Sequence, residues 1–276
     1  MNMRTKRKIV AVAILILLLA TAFGETIVKI AKDATFYWYD HTETELRVKA
    51  FAEENKLFYA DYPESLIDLL ERNPETEQFV LEYPLYRKAA YDLTEYAGAE
   101  AVPLFLQWDQ RWGYEVYGSD VIGITGCGPT CLAMVGYWLT GEETFRPDLV
   151  AAFAEENGYY AAGYGSSWTL ISQGGVELGL HVTELPLDEG RMVAALEAGQ
   201  PIILAMGPGD FTSSGHYIVL TGVVDGAFSV NDPNSRANSE KLWRYEDIAD
   251  QIRNIWAISK QIEADTGRCP LVLYVG

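Results

Sequence analysis

An α+β fold is what this sequence predicts, from three observations. Residues 25–100 have helical texture, with prolines placed where helices begin and end. Pro129–Leu139 (PTCLAMVGYWL) is apolar on every side, so a helix there must be buried. Strand-like runs follow it, bounded by turn residues. Helices come first and strands later, which is the α+β order.

The first element is an address. Arg4, Lys6, Arg7 and Lys8 precede the apolar run Ile9–Phe23, and Ala20-Thr21-Ala22 fits a small-residue cleavage site. A run of fifteen residues falls short of the roughly 20 a spanning helix needs. Residues 1–24 therefore read as a signal peptide or a membrane anchor. Both place the remaining chain outside the cytoplasm, secreted or held at the outer face of the membrane. The membrane is then met only through this segment.

Charge supports a limited conclusion. The 276 residues carry a formal net charge of −18. Residues 1–22 hold four of the 21 cations and none of the 39 acids, so removing them leaves −22. A nucleic-acid partner is excluded, because phosphate binding needs clustered Lys and Arg. An apolar share of 49% is enough for a sizeable core. Nothing in the sequence defines the oligomeric state.

Ile27–Lys56 is helix-compatible throughout. Pro63 suits the first turn of a helix carrying Leu66, Ile67, Leu69 and Leu70 on one face. Asn73-Pro74 ends it and starts another with Phe79, Val80 and Tyr83, stopped by Pro84. His41, among Asp40, Thr42 and Glu43, reads as a solvated surface residue. Texture changes near Gly98–Val102, which sets a helical region at 25–100 and a second domain at 101–276.

In the second domain, Leu149–Glu156 and Arg191–Ala198 are further helices, the latter ended by Gly199. Strands are expected at Leu180–Leu185, Pro201–Met206, Tyr217–Val223, Ala227–Asn231 and Leu271–Val275.

Chemistry concentrates in a few residues. Cys127, in Gly126-Cys127-Gly128-Pro129-Thr130, stands where a helix begins. Flanking glycines permit a sharp turn and leave the sulfur uncrowded. Unpaired N–H groups and the dipole there favour a thiolate. His216 precedes the β-branched run Tyr217–Leu220, and Asp232 follows a hairpin. Side-chain alternation tests whether they can meet. A two-residue Asp225-Gly226 turn would set them on opposite faces. A three-residue Val224-Asp225-Gly226 loop opposes Ile218 to Asp232 and makes His216 and Asp232 diagonal neighbours on one face. Asp232 is also suited to capping the turn before Pro233.

An anionic intermediate needs donors: the Cys127 backbone N–H and a side-chain amide, for which Gln107 is best placed by order. His181 lies within a strand with no acid to orient it and reads as structural. Cys131, one turn deeper in the apolar helix, is a core residue or the disulfide partner of Cys269. Neither spacing nor extra His supports a metal site, and no cofactor is implied. Trp168, in GYGSSW, and the loop carrying Asp210, Phe211 and Gly215 are candidates for substrate contact.

Gln107-Trp108-Asp109, Gly126-Cys127-Gly128-Pro129-Thr130, Gly215-His216 and Asn231-Asp232-Pro233 together resemble the motifs of papain-like cysteine peptidases. The nearest group is the bacterial one related to the double-glycine-leader peptidases, family C-39, in stand-alone form and Firmicutes type. The resemblance covers about residues 101–258. It implies a buried helix carrying the nucleophilic Cys127, packed on an antiparallel sheet carrying His216 and Asp232, with Gln107 as oxyanion donor. Gln107 lies 20 residues before Cys127, farther than in papain. No transporter domain accompanies these motifs, so leader processing coupled to export is not implied. Residues from Tyr62-Pro63-Glu64 through Pro84 resemble the N-terminal part of members of this group.

The expected function is an exported bacterial cysteine peptidase that acts on a peptide or protein through a covalent thioester, with no cofactor. Two alternatives share the framework. One is a cell-wall amidase or transamidase on the same apparatus. The other is a non-catalytic surface binding module.

Overall fold

The computed structural model describes residues 24–261. The N-terminal apolar run, Cys269 and the strand expected at Leu271–Val275 lie outside the described residues. Among the described residues no helix is long and apolar enough to cross a membrane. The chain divides into two compact units, up to Lys88 and from Ala89 onward.

The first unit is helical. α1 runs through 24–35. A short 3-10 turn, Phe36–Trp38, separates it from α2, Glu43–Glu54. Ile27–Lys56 is thus two helices, not one continuous stretch. The reason is local: Thr42 accepts the Glu45 N–H while the Glu45 carboxylate accepts the Thr42 N–H. This capping box starts a helix wherever it forms, and its T-x-x-E signature is legible in the sequence. His41 is not solvated as expected. Its ring stacks on Phe36 at 3.7 Å, with Nε2 2.7 Å from the Phe36 carbonyl and Nδ1 3.1 Å from Glu45. Polar sequence neighbours concealed an aromatic neighbour in space. α3, Glu64–Arg72, follows Pro63, and Asn73 caps the turn leading to α4, Glu77–Glu82. Val48, Ala52, Leu66, Leu70, Phe79 and Val80 are buried here. Lys49, also buried, lies 3.2 Å from both Asp33 and Glu53.

The second unit begins earlier than the Gly98–Val102 boundary read from texture. Leu93 is fully buried in its core and Tyr91 packs its ring 5.6 Å from Trp112. The hairpin β1–β2 (Val116–Tyr117, Asp120–Val121) leads into α5, Ile122–Thr125, and then α6, Cys127–Thr140. Next come α7, Pro147–Glu156, and the small hairpin β3–β4 (Tyr160–Ala161, Gly165–Ser166). α8, Gly175–Glu177, is followed by β5, Leu180–Glu184, and α9, Glu189–Glu197, which Asp188 caps. The remaining elements are β6, Ile202–Met206; β7, His216–Val224; and β8, Ala227–Asn231. They are followed by α10, Arg236–Ser239; β9, Leu242–Trp243; α11, Tyr245–Ile248; and β10, Ile252–Lys260.

Six strands form one antiparallel sheet in the order β5-β10-β6-β7-β8-β9. Alternate residues feed two cores. Ile203, Ala205, Tyr217, Val219 and Trp256 pack with α6. Ile202, Leu204, Ile218, Leu220 and Val230 pack with Met192 and Leu196 of α9. Helices on both faces explain why β6 is apolar without alternation. The α+β class and the buried helix on an antiparallel sheet are therefore as expected.

Two strands of this sheet were not foreseen, β9 and β10, nor were the short hairpins β1–β2 and β3–β4. In β10 the register shifts between Ile252 and Asn254. That irregularity sets Arg253-Asn254 inside a strand whose other residues are mainly apolar and hides the pattern.

The β7–β8 hairpin reaches the expected register by a different route. Its turn has two residues, Asp225 at φ 50° and Gly226 at φ 75°, and it pairs Val224 with Ala227. Positive φ at both positions is the tight turn that suits strand twist, and Asp-Gly is the sequence for it. Such a turn alone would separate the faces of His216 and Asp232. A bulge between Leu220 and Gly222 then moves the pairing by one residue, giving Leu220 opposite Val230 and Val219 opposite Asn231. Beyond Thr221 the offset is the one that unites the two side chains.

Candidate active site

α6 delivers Cys127 at its first residue, half-exposed, while Gly128 through Tyr137 are buried. The flanking glycines serve close packing rather than an unusual turn, since Gly126 has an ordinary φ of −94°. A Cβ on Gly128 would stand 2.6 Å from Ser166 Oγ, and one on Gly126 would stand 2.5 Å from Ile122 Cγ2. The hairpin β3–β4 is thereby pressed against the first turn of the helix that carries the thiol.

His216, at the start of β7, is 8% exposed, and Asp232, just past β8, is 1% exposed. His216 Nε2 and Asp232 Oδ1 are 2.7 Å apart. Cys127 lies close enough to the same imidazole to raise its proton affinity. Burial alone would lower the proton affinity of His216. The adjoining Asp232 charge and hydrogen bond, with Cys127 contributing, outweigh it and push the imidazole up to about 10. Burial likewise opposes ionisation of Asp232. The His216 charge and bond, the Asn238 amide and the Asn234 N–H more than offset this and hold the carboxyl below its ordinary range.

Several partners were not singled out from sequence. Asn238 Nδ2 donates to Asp232 Oδ2 at 2.8 Å, the Asn234 N–H donates to Oδ1 at 2.8 Å, and the Asp232 N–H donates to Ser239 Oγ at 2.9 Å. The Asn234 bond is the turn cap foreseen for Asp232; the other two depend on α10, a four-residue helix too short to signal itself. On the other side, Tyr117 and Ser166 share a 2.7 Å hydroxyl contact, and Tyr217 donates to the Ser166 carbonyl at 3.2 Å. Burial first, and then the charge of Cys127, raises the Tyr217 phenol.

Gln107 is buried, and its backbone N–H donates to Pro233 O at 2.7 Å, one residue past Asp232. Its amide nitrogen donates to Gly123 O at 2.9 Å, with Ile124 O at 3.5 Å, both in the turn leading to α6. The longer contact takes little from the second amide hydrogen. Trp108 Nε1 donates to Asn234 O at 3.0 Å, so this segment is stitched to the Asp232 loop.

Of the substrate-contact candidates, Trp168 is half-exposed and lies edge-on to Trp256 at 6.1 Å. Gly215 is exposed, with nothing within 4 Å of where a Cβ would sit. Asp210 is held by Gln251, whose amide donates to its carboxylate at 2.6 Å and whose oxygen accepts its N–H at 2.8 Å. Phe211 departs from expectation. Its ring is buried against Trp243 at 4.5 Å, because an aromatic in a Gly-rich loop gains more from the second core than from water. His181 is exposed on edge strand β5, opposite Ser259, apart from this cluster. Cys131 is fully buried, and burial pushes its thiol well up; there is no disulfide among the described residues. Nor, among them, is there any group of His, Cys, Asp and Glu able to hold a metal ion.

Residues 99–263 match the family model described as Peptidase_C39 like family. The chain belongs to the C39-like peptidase family. This C39-like chain is similar to the crystal structure of the peptidase domain of Streptococcus ComA, a bifunctional ABC transporter involved in a quorum-sensing pathway. Identity is 17% over 54% of this chain and 99% of that one, with a TM-score of 0.40. It is also similar to a protein from Bacillus anthracis described as a C39-like peptidase, at 16% identity over 59% of this chain and 96% of that one, TM-score 0.40. Comparison with curated proteins gives no match.

Proposed function

We propose that this protein is an exported cysteine peptidase that hydrolyses peptide bonds through Cys127, His216 and Asp232. The observation carrying this reading is a buried His216 whose Nε2 lies 2.7 Å from Asp232, with Cys127 close enough to raise its proton affinity. Membership of the C39-like peptidase family agrees with it. Export rests on the N-terminal basic and apolar segments alone.

In this reading the Cys127 thiolate attacks the substrate carbonyl, and the imidazolium of His216 then gives its proton to the leaving amine. A thioester forms on Cys127. Water, deprotonated by the now neutral His216, hydrolyses it and restores the thiol. Asp232 holds the imidazole orientation and stabilises its charged form. The oxyanion is received at the N-terminus of α6 by the Cys127 N–H and by the second amide hydrogen of Gln107. Trp168, and Gly215 on a loop braced through Asp210, border the substrate.

The test is reaction of the purified chain with a cysteine-directed peptide electrophile, with the adduct located by mass spectrometry. Labelling at Cys127 that is lost in His216→Ala is expected. Labelling of Cys131 or Cys269 with Cys127 untouched would overturn the assignment. Digestion of peptide libraries and isolated peptidoglycan then reads the substrate, and cleavage of wall fragments alone would replace peptidase by amidase.

A further inference from the structure

The Asp232 carboxylate receives three donors. Oδ1 takes His216 Nε2 at 2.7 Å and the Asn234 N–H at 2.8 Å; Oδ2 takes Asn238 Nδ2 at 2.8 Å. The Asn234 bond comes from the backbone, so any residue there except proline could make it. Asn238 donates through its side chain and can be substituted. It is also firmly seated. Its N–H donates to Ser235 Oγ at 3.1 Å and its carbonyl accepts Trp243 Nε1 at 3.0 Å. Ser239 Oγ accepts the Asp232 N–H and donates to Ser235 O at 2.8 Å. Trp243 in turn packs on Phe211, in the loop that leads to His216. The segment after Asp232 and the segment before His216 are thus tied by one aromatic contact.

A carboxylate bonded through one oxygen can turn about its last torsion, where rotamer preference is broad. A donor on the second oxygen removes that freedom. We propose that Asn238 is a positioning residue of this site: by occupying Oδ2 it keeps Oδ1 of Asp232 aimed at Nε2 of His216, so that the other imidazole nitrogen faces Cys127. The proposal rests on the thiol-hydrolase reading. The titratable groups that act on the pair from α6 are Cys127 and Cys131. The cation of α10, Arg236, lies over the Trp108 ring at 5.4 Å.

The experiment uses the full chain as wild type, Asn238→Ala and Asn238→Asp. It measures alkylation of Cys127 across pH by iodoacetate, whose carboxylate is drawn by the imidazolium charge and loses that attraction in alkali, together with the proton resonance of the His216 Nε2–H and the melting temperature. Asn238→Ala should alkylate about tenfold more slowly at neutrality, as loss of a bond to a charged group implies. Its alkaline limb should fall by about one pH unit, and the downfield Nε2–H resonance should weaken. Asn238→Asp keeps the side-chain volume and can donate only while the two carboxylates share a proton. Its rate should approach wild type in acid and collapse as that proton leaves. Profiles of wild-type shape in both variants, with only a lower melting temperature, would reduce Asn238 to a structural residue. If wild-type Cys127 shows no thiolate reactivity at neutral pH, the hydrolase reading fails. The resonance still decides on Asn238: its persistence in Asn238→Ala overturns the proposal and its loss supports it. Should Asn238→Ala not fold, the pH dependence of the isosteric Asn238→Asp carries the same decision.

Discussion

Two buried groups of opposite charge give the candidate site its pH behaviour. His216 binds its proton more tightly in the folded chain than its ordinary 6.5, up to about 10. The stability this adds is complete below 6.5 and fades as pH rises toward about 10. Asp232 is held below its ordinary 3.8, so its contribution is present above 3.8 and is lost as pH falls through the lower folded value. Both contributions are complete between those ordinary values, so thermal melts should peak there. His216→Gln should flatten the alkaline decline; an unchanged decline would mean the pair adds no stability. Peptide hydrolysis should rise in acid, persist through neutrality and fall in alkali as the imidazolium loses its proton, and Asp232→Ala should bring that fall to lower pH. A second prediction concerns packing. Gly128→Ala sets a methyl against Ser166 Oγ at 2.6 Å, which should cost about 1–3 kcal/mol and slow labelling. Adding Ser166→Gly should restore much of both, as read by melting temperature and alkylation rate.

The β7–β8 hairpin carries the third prediction. Thr221 is the extra residue of the bulge between Leu220 and Gly222. Deleting it keeps the Asp225-Gly226 turn but removes the offset that unites His216 with Asp232. The variant should retain helix and sheet by circular dichroism yet lose Cys127 labelling; wild-type labelling would show that the strand end realigns by itself. This hairpin also marks how far the sequence could be read. Alternation told which offset would let His216 and Asp232 share a face. It could not tell whether turn or bulge supplies it, because a bulge leaves no residue signature as strong as Asp-Gly. Cys127, the helix it opens and the strand starts were legible from glycines, β-branched runs and apolar patterning. Asn238 and Ser239 were not, since their role depends on a four-residue helix folding back on Asp232. Phe211 and His41 were misplaced because flanking residues describe the chain locally, while their rings answer to partners remote in sequence.

At the scale of the molecule, every group of the candidate site lies in the unit from Ala89 onward, with both cores of that unit. A fragment of residues 89–276 should therefore fold cooperatively and label at Cys127 like the full chain; failure to fold would show that the helical unit up to Lys88 is needed for stability. The sheet order has a consequence for synthesis. β10, the last described strand, lies between β5 and β6. While a ribosome is still making the residues before Ile252, the places on either side of that gap have no neighbour to bond. The sheet that presents His216 to Cys127 is then incomplete, whatever has already emerged. Nascent chains arrested short of Ile252 should leave Cys127 unreactive toward the peptide electrophile, and chains released past Lys260 should gain reactivity. The order of strands would thus act as a timer, withholding the candidate site until translation has passed β10.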